Sequence, residues 1–302
     1  LGDAVDLPGL PVVKGQNLLT NSGQIYGDVA GGAHKDVIDN KASGIIGGSV
    51  SLFDGANTVT NAGRLAGDLT TGDDGDTIKN TSGTIMGAVS LGGGADTFTN
   101  TGSVNGIIDL GAGDDKFTSG NFAETVRDGA GFDKVNLGGG DDRYISYFDT
   151  VNDLSETVDG GAGIDTYDGG DSGAQMFINL GSKLHVASNF TSIGGTNFEF
   201  FSAAVTATML NYGNIVGNAS ETVLGFENII GSNQADLLAG SDVANNLYSN
   251  AGTDDLWGFG GNDYLDGGAD ADEIVGGLGA DVLIGGTGDD DFYYFDVKDS
   301  GV

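Results

Sequence analysis

The feature that most constrains this chain is a nine-residue repeat that fills residues 231–293 without a break in register. Each of its seven units begins with glycine or serine and has aspartate or asparagine at position six. Position eight is always apolar, at Leu238, Leu247, Leu256, Leu265, Ile274, Leu283 and Phe292. Because glycine costs a helix interior about 1 kcal/mol per residue, the repeat predicts a turn followed by a short strand with one apolar face.

Two such units make one 18-residue coil, so position six of one unit stacks on position six of the next unit but one, at ~4.8 Å. The sequence therefore predicts two columns of side chains: Asp236, Asp254, Asp272 and Asp290 in one, and Asn245, Asp263 and Asp281 in the other. Stacked carboxylates repel one another, and a hard cation with oxygen ligands relieves that repulsion. We expect several Ca²⁺ ions, with glycine-turn carbonyls as further ligands; Mg²⁺ fits less well because it prefers a tight octahedron.

The units that begin at Gly276 and Gly285 match the pattern GGxGxDxUx at every position, and the block resembles the RTX (repeats-in-toxin) family of secreted bacterial proteins. The resemblance implies a parallel β-roll with Ca²⁺ bound between its coils. It also implies type I secretion of an unfolded chain that folds outside the cell. Carried over residue by residue, it gives as calcium ligands Asp254, Asp263, Asp272, Asp281 and Asp290, with Asp236 as a further candidate and Asn245 as a departure from the pattern.

A second repeat with a period near 20 residues occupies residues 21–145. Its apolar positions form three columns, which predict a β-helix: Ile25, Ile46, Leu65, Ile85 and Val104; Val29, Val50, Leu69, Val89 and Ile108; Ile38, Val59, Ile78, Phe98 and Phe117. A polar corner follows Asn40, Asn61, Asn80 and Asn100 and is expected to end at Ser119. Acidic positions in this region and just after it add the metal-ligand candidates Asp96, Asp115, Asp133, Asp142 and Asp165.

These patterns together predict an all-β fold, a right-handed parallel β-solenoid in which a β-helix passes into an RTX-type β-roll. We expect a capping segment over residues 1–20, the β-helix over 21–145 and the β-roll over 231–302. Residues 146–230 are expected to connect the two, with one RTX-like turn. The irregular part of that segment is interpreted either as strands that lengthen the solenoid or as a flap that covers it.

Composition narrows the partners. The net charge of −33 argues against nucleic acid or an anionic membrane as a partner. The sequence contains no apolar run of 18 residues, so we expect no membrane insertion. Of 44 acidic residues six are Glu, which leaves 44 − 6 = 38 Asp, the short carboxylate typical of turns and metal ligands. Cysteine is absent, so no disulfide stabilises the fold.

The motifs HExxH and GxSxG and the P-loop are all absent from the sequence, so we expect no catalytic activity. The favoured function is a calcium-folded, extracellular structural part of a secreted or cell-surface protein, such as an adhesin stalk or surface layer, with self-association or a cell-surface partner. The alternative is the calcium-binding module of a secreted protease, lipase or alginate epimerase whose catalytic domain lies outside this chain. An ice-binding face on Thr58, Thr60, Thr97 and Thr99 is disfavoured by Lys79 and Lys116 in the same columns.

Overall fold

The computed structural model describes residues 5–6, 17–147, 156–173, 175–181, 206–210 and 220–294. Every regular element in these ranges is a β-strand, and no helix there is long and apolar enough to cross a membrane. The strands stack as a β-solenoid with about 12 turns in all, which confirms the predicted all-β solenoid class. By their contacts the residues divide into two compact units, Leu1–Tyr144 with Gly161–Gly163, and Ile145–Gly160 with Ile164–Val302.

The first unit is built from coils whose short strands form three parallel sheets. The first sheet contains β1 (Val5–Asp6), β4 (Val29–Ala30), β7 (Val50–Ser51), β10 (Leu69–Thr70), β13 (Val89–Ser90), β16 (Ile108–Ala112) and β18 (Thr125–Ala130). The second contains β2 (Asn17–Asn21), β5 (Asp36–Asn40), β8 (Thr58–Asn61), β11 (Thr77–Asn80), β14 (Thr97–Asn100), β17 (Lys116–Thr118) and β19 (Lys134–Asn136). The third contains β3 (Gln24–Ile25), β6 (Ile45–Ile46), β9 (Arg64–Leu65), β12 (Thr84–Ile85) and β15 (Ser103–Val104).

The core of the first unit contains the three predicted apolar columns, one behind each sheet, together with buried leucines such as Leu52, Leu91 and Leu110. Strand registers pair Ile46 with Leu65, Val50 with Leu69, and Ile78 with Phe98, and the remaining members follow in the same order. Phe98 packs edge-on against Phe117 with ring centroids 5.4 Å apart, and both side chains are fully buried. Each such side chain contributes roughly 1.5–3 kcal/mol through burial, so the columns stabilise the coils without any other ligand.

A ladder of asparagine amides runs along one corner of the first unit. The Nδ2 of Asn21, Asn40, Asn61 and Asn80 each donates to the Oδ1 of the asparagine one coil later, over 2.7–2.9 Å. The ladder ends differently from the prediction, because Asn100 Nδ2 donates over 2.9 Å to Glu124 Oε1 rather than to Ser119. A carboxylate is the stronger acceptor of the two, since hydrogen bonds to charged groups are shorter and stronger than those to a hydroxyl.

The second unit is built on two sheets. The sequence boundary between the two units, at Tyr144 and Ile145, falls within β20 (Arg143–Ile145). One sheet contains β22 (Thr166–Asp168), β26 (Asn228–Ile230), β28 (Asn246–Tyr248), β30 (Tyr264–Asp266) and β32 (Val282–Ile284). The other contains, in spatial order, β21 (Thr157–Asp159), β25 (Ser220–Leu224), β24 (Thr206–Leu210), β23 (Gln175–Asn179), β27 (Leu237–Ala239), β29 (Asp255–Trp257), β31 (Glu273–Val275) and β33 (Asp291–Phe292).

Position eight of the nonapeptides is buried from Leu238 to Ile274, whereas Leu283 is half-buried and Phe292, in the last strand, is 42% exposed. Ile229, Leu247, Leu265 and Leu283 are in register in one sheet, and Leu238, Leu256, Ile274 and Phe292 in the other. Within the connecting segment 146–230, the described residues form strands. β24 pairs antiparallel with both β23 and β25, so these residues extend the sheet instead of covering it.

Candidate metal centre

The residues at position six of the second unit are joined by a repeated backbone-to-carboxylate hydrogen bond. The N–H of one residue donates to the Oδ1 of the aspartate one coil later. In one column this links Asp236 to Asp254 (2.6 Å), Asp254 to Asp272 (2.9 Å) and Asp272 to Asp290 (3.1 Å). In the other it links Asn245 to Asp263 (2.9 Å) and Asp263 to Asp281 (3.0 Å). The structure therefore brings together the side chains of both columns deduced from the repeat.

The first unit has the same arrangement in its acidic column. Asp76 N–H donates to Asp96 Oδ1 (2.5 Å), Asp96 N–H to Asp115 Oδ1 (2.7 Å) and Asp115 N–H to Asp133 Oδ1 (2.7 Å). Asp142 accepts from another residue, Glu124, whose N–H lies 2.7 Å from Asp142 Oδ1. In the second unit, Asp165 N–H donates to Glu227 Oε2 over 2.9 Å.

Glu124 and Glu227 are column members that the nonapeptide motif does not reveal, because only one glycine remains in the five residues before each of them. Glu124 precedes Asp142 by 18 residues, and Glu227 precedes Asn245 by 18 residues. The 18-residue spacing of one coil is thus the sequence signal from which both glutamates could have been predicted. An outward-facing acidic row was also missed, formed by Asp255, Glu273 and Asp291 at paired positions of β29, β31 and β33.

The second carboxylate oxygen of most column residues is buried and has no hydrogen-bond partner among the described residues. This holds for the Oδ2 atoms of Asp76, Asp96, Asp115, Asp133, Asp254, Asp263, Asp272 and Asp281, and for Oε2 of Glu124. A buried polar atom without a partner costs roughly 1–3 kcal/mol, more when it is charged. A row of such atoms in register is unusual, because buried polar atoms in folded proteins are almost always hydrogen-bonded.

In the nonapeptides of the second unit that begin with glycine, this glycine keeps an open space between the carboxylate and the next coil. A Cβ added to Gly258 would lie 2.4 Å from both Asp263 Oδ2 and the Gly276 carbonyl oxygen, and one on Gly267 would lie 2.4 Å from Asp272 Oδ2. Around Asp165 the same space is bounded by the Gly225 carbonyl oxygen, 2.5 Å from a Cβ placed on Gly160. A carboxylate from one coil and a carbonyl from another thus face one small space.

The backbone at position two divides the turns of the second unit into two kinds, which we call open and closed. In the open turns the residue at position two has a positive φ: Asn250 (74°), Phe259 (69°), Gly268 (90°), Gly277 (97°) and Gly286 (97°). For a residue as bulky as Phe259 this backbone region is strongly disfavoured and costs roughly 1–3 kcal/mol. Such strain persists where the surroundings enforce it, which is common at ligand sites.

In the closed turns a serine at position two satisfies the column residue. Ser232 donates its N–H to Asp236 Oδ2 (2.6 Å), and its hydroxyl lies 2.9 and 3.0 Å from the two carboxylate oxygens. Met176 N–H completes the set at Asp236 Oδ1 (2.6 Å). Ser241 donates its N–H to Asn245 Oδ1 (2.7 Å) in the same way. Asp236 therefore lies in its predicted column but already has protein donors on both oxygens.

Burial dominates the electrostatics of the columns. Loss of water raises the pKa of Asp254 and of Asp115 to about 8, and that of Asp96 and of Asp263 to about 7. It raises the pKa of Asp133, Asp236 and Asp272 to about 6. Neighbouring carboxylates raise the pKa values of Asp115 and Asp254 further, whereas backbone N–H donors lower them. Without a nearby positive charge, burial thus disfavours the ionised form of these aspartates relative to the protonated form.

The column side chains therefore offer only oxygen atoms as ligands. Several of these belong to carboxyl groups whose raised pKa values disfavour the ionised form. Neither a scan against models of protein families nor a search of curated proteins returns a match for this chain.

Proposed function

We propose that this chain is a calcium-binding, calcium-stabilised β-solenoid that forms a non-catalytic structural part of a secreted or cell-surface protein. The observation that carries the proposal is the row of buried, unpartnered Oδ2 atoms that share an open space with a carbonyl from another coil, as Asp263 does with Gly276 beside Gly258. Ca²⁺ binds six to eight such oxygens, and when bound it supplies the missing positive charge.

The asparagine ladder gives an internal comparison. A side-chain amide has both a donor and an acceptor, so stacked asparagines satisfy one another, as Asn61 and Asn80 do over 2.9 Å. An ionised carboxylate only accepts, so stacked aspartates cannot do the same. One corner of the first unit is thus self-sufficient, whereas the aspartate columns require a cation.

The ligand chemistry favours calcium over other metals. Carboxylate and carbonyl oxygens are the ligands of Ca²⁺, Mg²⁺ and Mn²⁺, whereas Zn²⁺ and copper prefer histidine and cysteine. The chain has no cysteine, and neither of its two histidines, His34 and His185, is at a column position of the repeats in the sequence. Coils formed by glycine turns adapt to the larger, more variable coordination shell of Ca²⁺ better than to the octahedron of Mg²⁺.

The repeat pattern of residues 231–293 supports membership of the RTX family, and with it type I secretion and folding outside the cell. Ligands that bind the folded state alone stabilise it by RT ln(1 + [L]/Kd), which is about 2.7 kcal/mol at a hundredfold excess over Kd. Extracellular calcium would in this way hold the second unit folded. The apolar columns and the asparagine ladder of the first unit, which need no ion, suit a stalk that keeps its shape.

The test is far-UV circular dichroism of the whole chain after removal of divalent ions on a chelating resin, then with millimolar CaCl2, and with MgCl2 at the same concentration. The fluorescence of Trp257, the single tryptophan, follows the second unit in the same samples. We expect calcium to add β-structure and shift the Trp257 emission, and magnesium to have little effect. Spectra indifferent to calcium would refute the proposal.

A further inference from the structure

We propose that Glu124 and Asp142 bind a calcium ion in the first unit, at a turn that has lost the nonapeptide motif. The inference rests on the proposed calcium-binding function and extends it to a residue outside the repeat. The six residues that end at Glu124 read SGNFAE, with Gly120 as their single glycine. No motif would therefore assign a ligand here.

The backbone places Glu124 as a column residue nonetheless. Its N–H donates to Asp142 Oδ1 over 2.7 Å, which matches the bond from Asp115 N–H to Asp133 Oδ1 in the neighbouring column. Glu124 is 4% exposed and Asp142 is 2% exposed. Two carboxyl groups are thus held next to each other away from water, an arrangement that requires a compensating charge.

The two oxygens of Glu124 have different environments. Oε1 accepts from Asn100 Nδ2 over 2.9 Å, whereas Oε2 is buried and has no hydrogen-bond partner among the described residues. The extra methylene relative to aspartate lets one carboxylate both end the amide ladder and keep an oxygen for another ligand. That unpartnered, buried oxygen is what points to an ion, because two neighbouring acids alone would not.

The amide ladder favours a negative charge at this position. Each of its amides donates toward the next coil, from Asn21 through Asn100, so their dipoles align with the positive end at Glu124. Aligned dipoles stabilise an anion at their donor end, as at a helix N-terminus. The Asn100 amide thus partly offsets the burial that raises the pKa of Glu124 to about 8.

The turn that carries Asp142 has the position-two backbone of the open turns, with Leu137 rather than glycine at position one. Gly138 and Gly140, at positions two and four of its unit, have φ values of 82° and 128°, like the open turns of the second unit. The Gly120 carbonyl oxygen lies 2.3 Å from a Cβ placed on Gly138, so glycine is needed where the two turns approach. The oxygen-only surroundings select the same class of ligand, a hard divalent cation.

The experiment counts bound ions on the whole chain by equilibrium dialysis with ⁴⁵Ca²⁺ at saturating calcium. Glu124→Gln keeps an acceptor for Asn100 but loses the charge, and we expect it to bind one ion fewer than the parent chain. Asp109→Asn makes the same change of charge at a half-exposed position of the first unit and should bind the parent number. A Glu124→Gln chain that binds the parent number overturns the inference.

A second set of variants covers the case in which Glu124→Gln disturbs folding. Asp142→Asn, and the double variant with Glu124→Gln, should each lose the same single ion, because both residues hold one site. A double variant that loses two ions would overturn the shared site. A parent chain that binds no calcium at all would refute the proposed function itself, which keeps the two failures distinct.

Discussion

Asp254→Asn should stabilise the calcium-free protein and weaken the calcium-bound one. Asp254 is fully buried; its Oδ1 accepts from Asp236 N–H, and its Oδ2 has no partner among the described residues. Burial raises its pKa from 3.8 to about 8. Asparagine keeps the shape and the acceptor for Asp236 N–H but has no charge to neutralise.

The magnitude follows from proton linkage. The folded pKa lies above the unfolded one, so folding of the ion-free chain takes up a proton between these two values. The contribution of Asp254 to stability is complete below pH 4 and is lost as pH rises toward 8, at about 1.4 kcal/mol per unit. At pH 7 the cost is on the order of 4 kcal/mol, and at pH 5 about 2 kcal/mol. The variant avoids that cost.

The assay is urea unfolding followed by Trp257 fluorescence, since Trp257 lies in β29 beside Asp254. In resin-treated buffer at pH 7 the variant's midpoint should exceed that of the parent chain by about 2 M, for a slope of about 2 kcal/mol/M. The gap should narrow at pH 5. In saturating calcium the order should invert, because the variant lacks the Oδ2 ligand.

Asp289→Asn is the matched control, because Asp289 is exposed in the same unit. Its midpoint should follow the parent chain under all four conditions. If Asp254→Asn is less stable than the parent without calcium at pH 7, or if the gap does not depend on pH, the reasoning about the buried carboxylate is wrong.

Two further variants test the other turns and corners. Ser232→Gly should open the closed turn at Asp236 and raise by one the number of bound calcium ions, measured by equilibrium dialysis. Ser241→Gly opens a turn that faces the neutral Asn245, so it should add no ion. Equal numbers of bound ions in the two variants would contradict the role of serine. Asn80→Ala leaves Asn61 Nδ2 and Asn100 Oδ1 without their partners, and it should lower the free energy of unfolding of the first unit by roughly 2–4 kcal/mol with or without calcium. A calcium-dependent loss, seen by circular dichroism, would show that the ladder is not metal-independent.

Much of the fold follows from the sequence because stacked coils repeat one local pattern. Val59, Ile78 and Phe98 recur at one coil length, and in a solenoid equal spacing places them in register. The antiparallel insertion of β24 between β23 and β25 was not predicted in its detail, since those strands have no repeat to set their register. Their pairing depends on contacts between segments that are distant in the chain.

The candidate site was predictable in its columns but not in its chemistry. Periodicity placed Asp236 and Asp272 alike, yet Asp236 receives the N–H and hydroxyl of Ser232, whereas the Oδ2 of Asp272 has no such donor among the described residues. The difference depends on backbone φ at position two, and Asn250 and Phe259 show that residues other than glycine adopt the open form. Glu124 escaped because its motif is lost while its backbone hydrogen bond is kept.

The third sheet of the first unit, from β3 to β15, gives these coils one more apolar column than the coils of the second unit have. Exposure of apolar surface raises the heat capacity on unfolding. The first unit should therefore gain more heat capacity per residue when it unfolds, so its stability curve bends more sharply with temperature. The second unit, with a thinner core, should have a free energy of unfolding that changes less steeply with temperature. The two units of one chain would thus differ in how their stability depends on temperature.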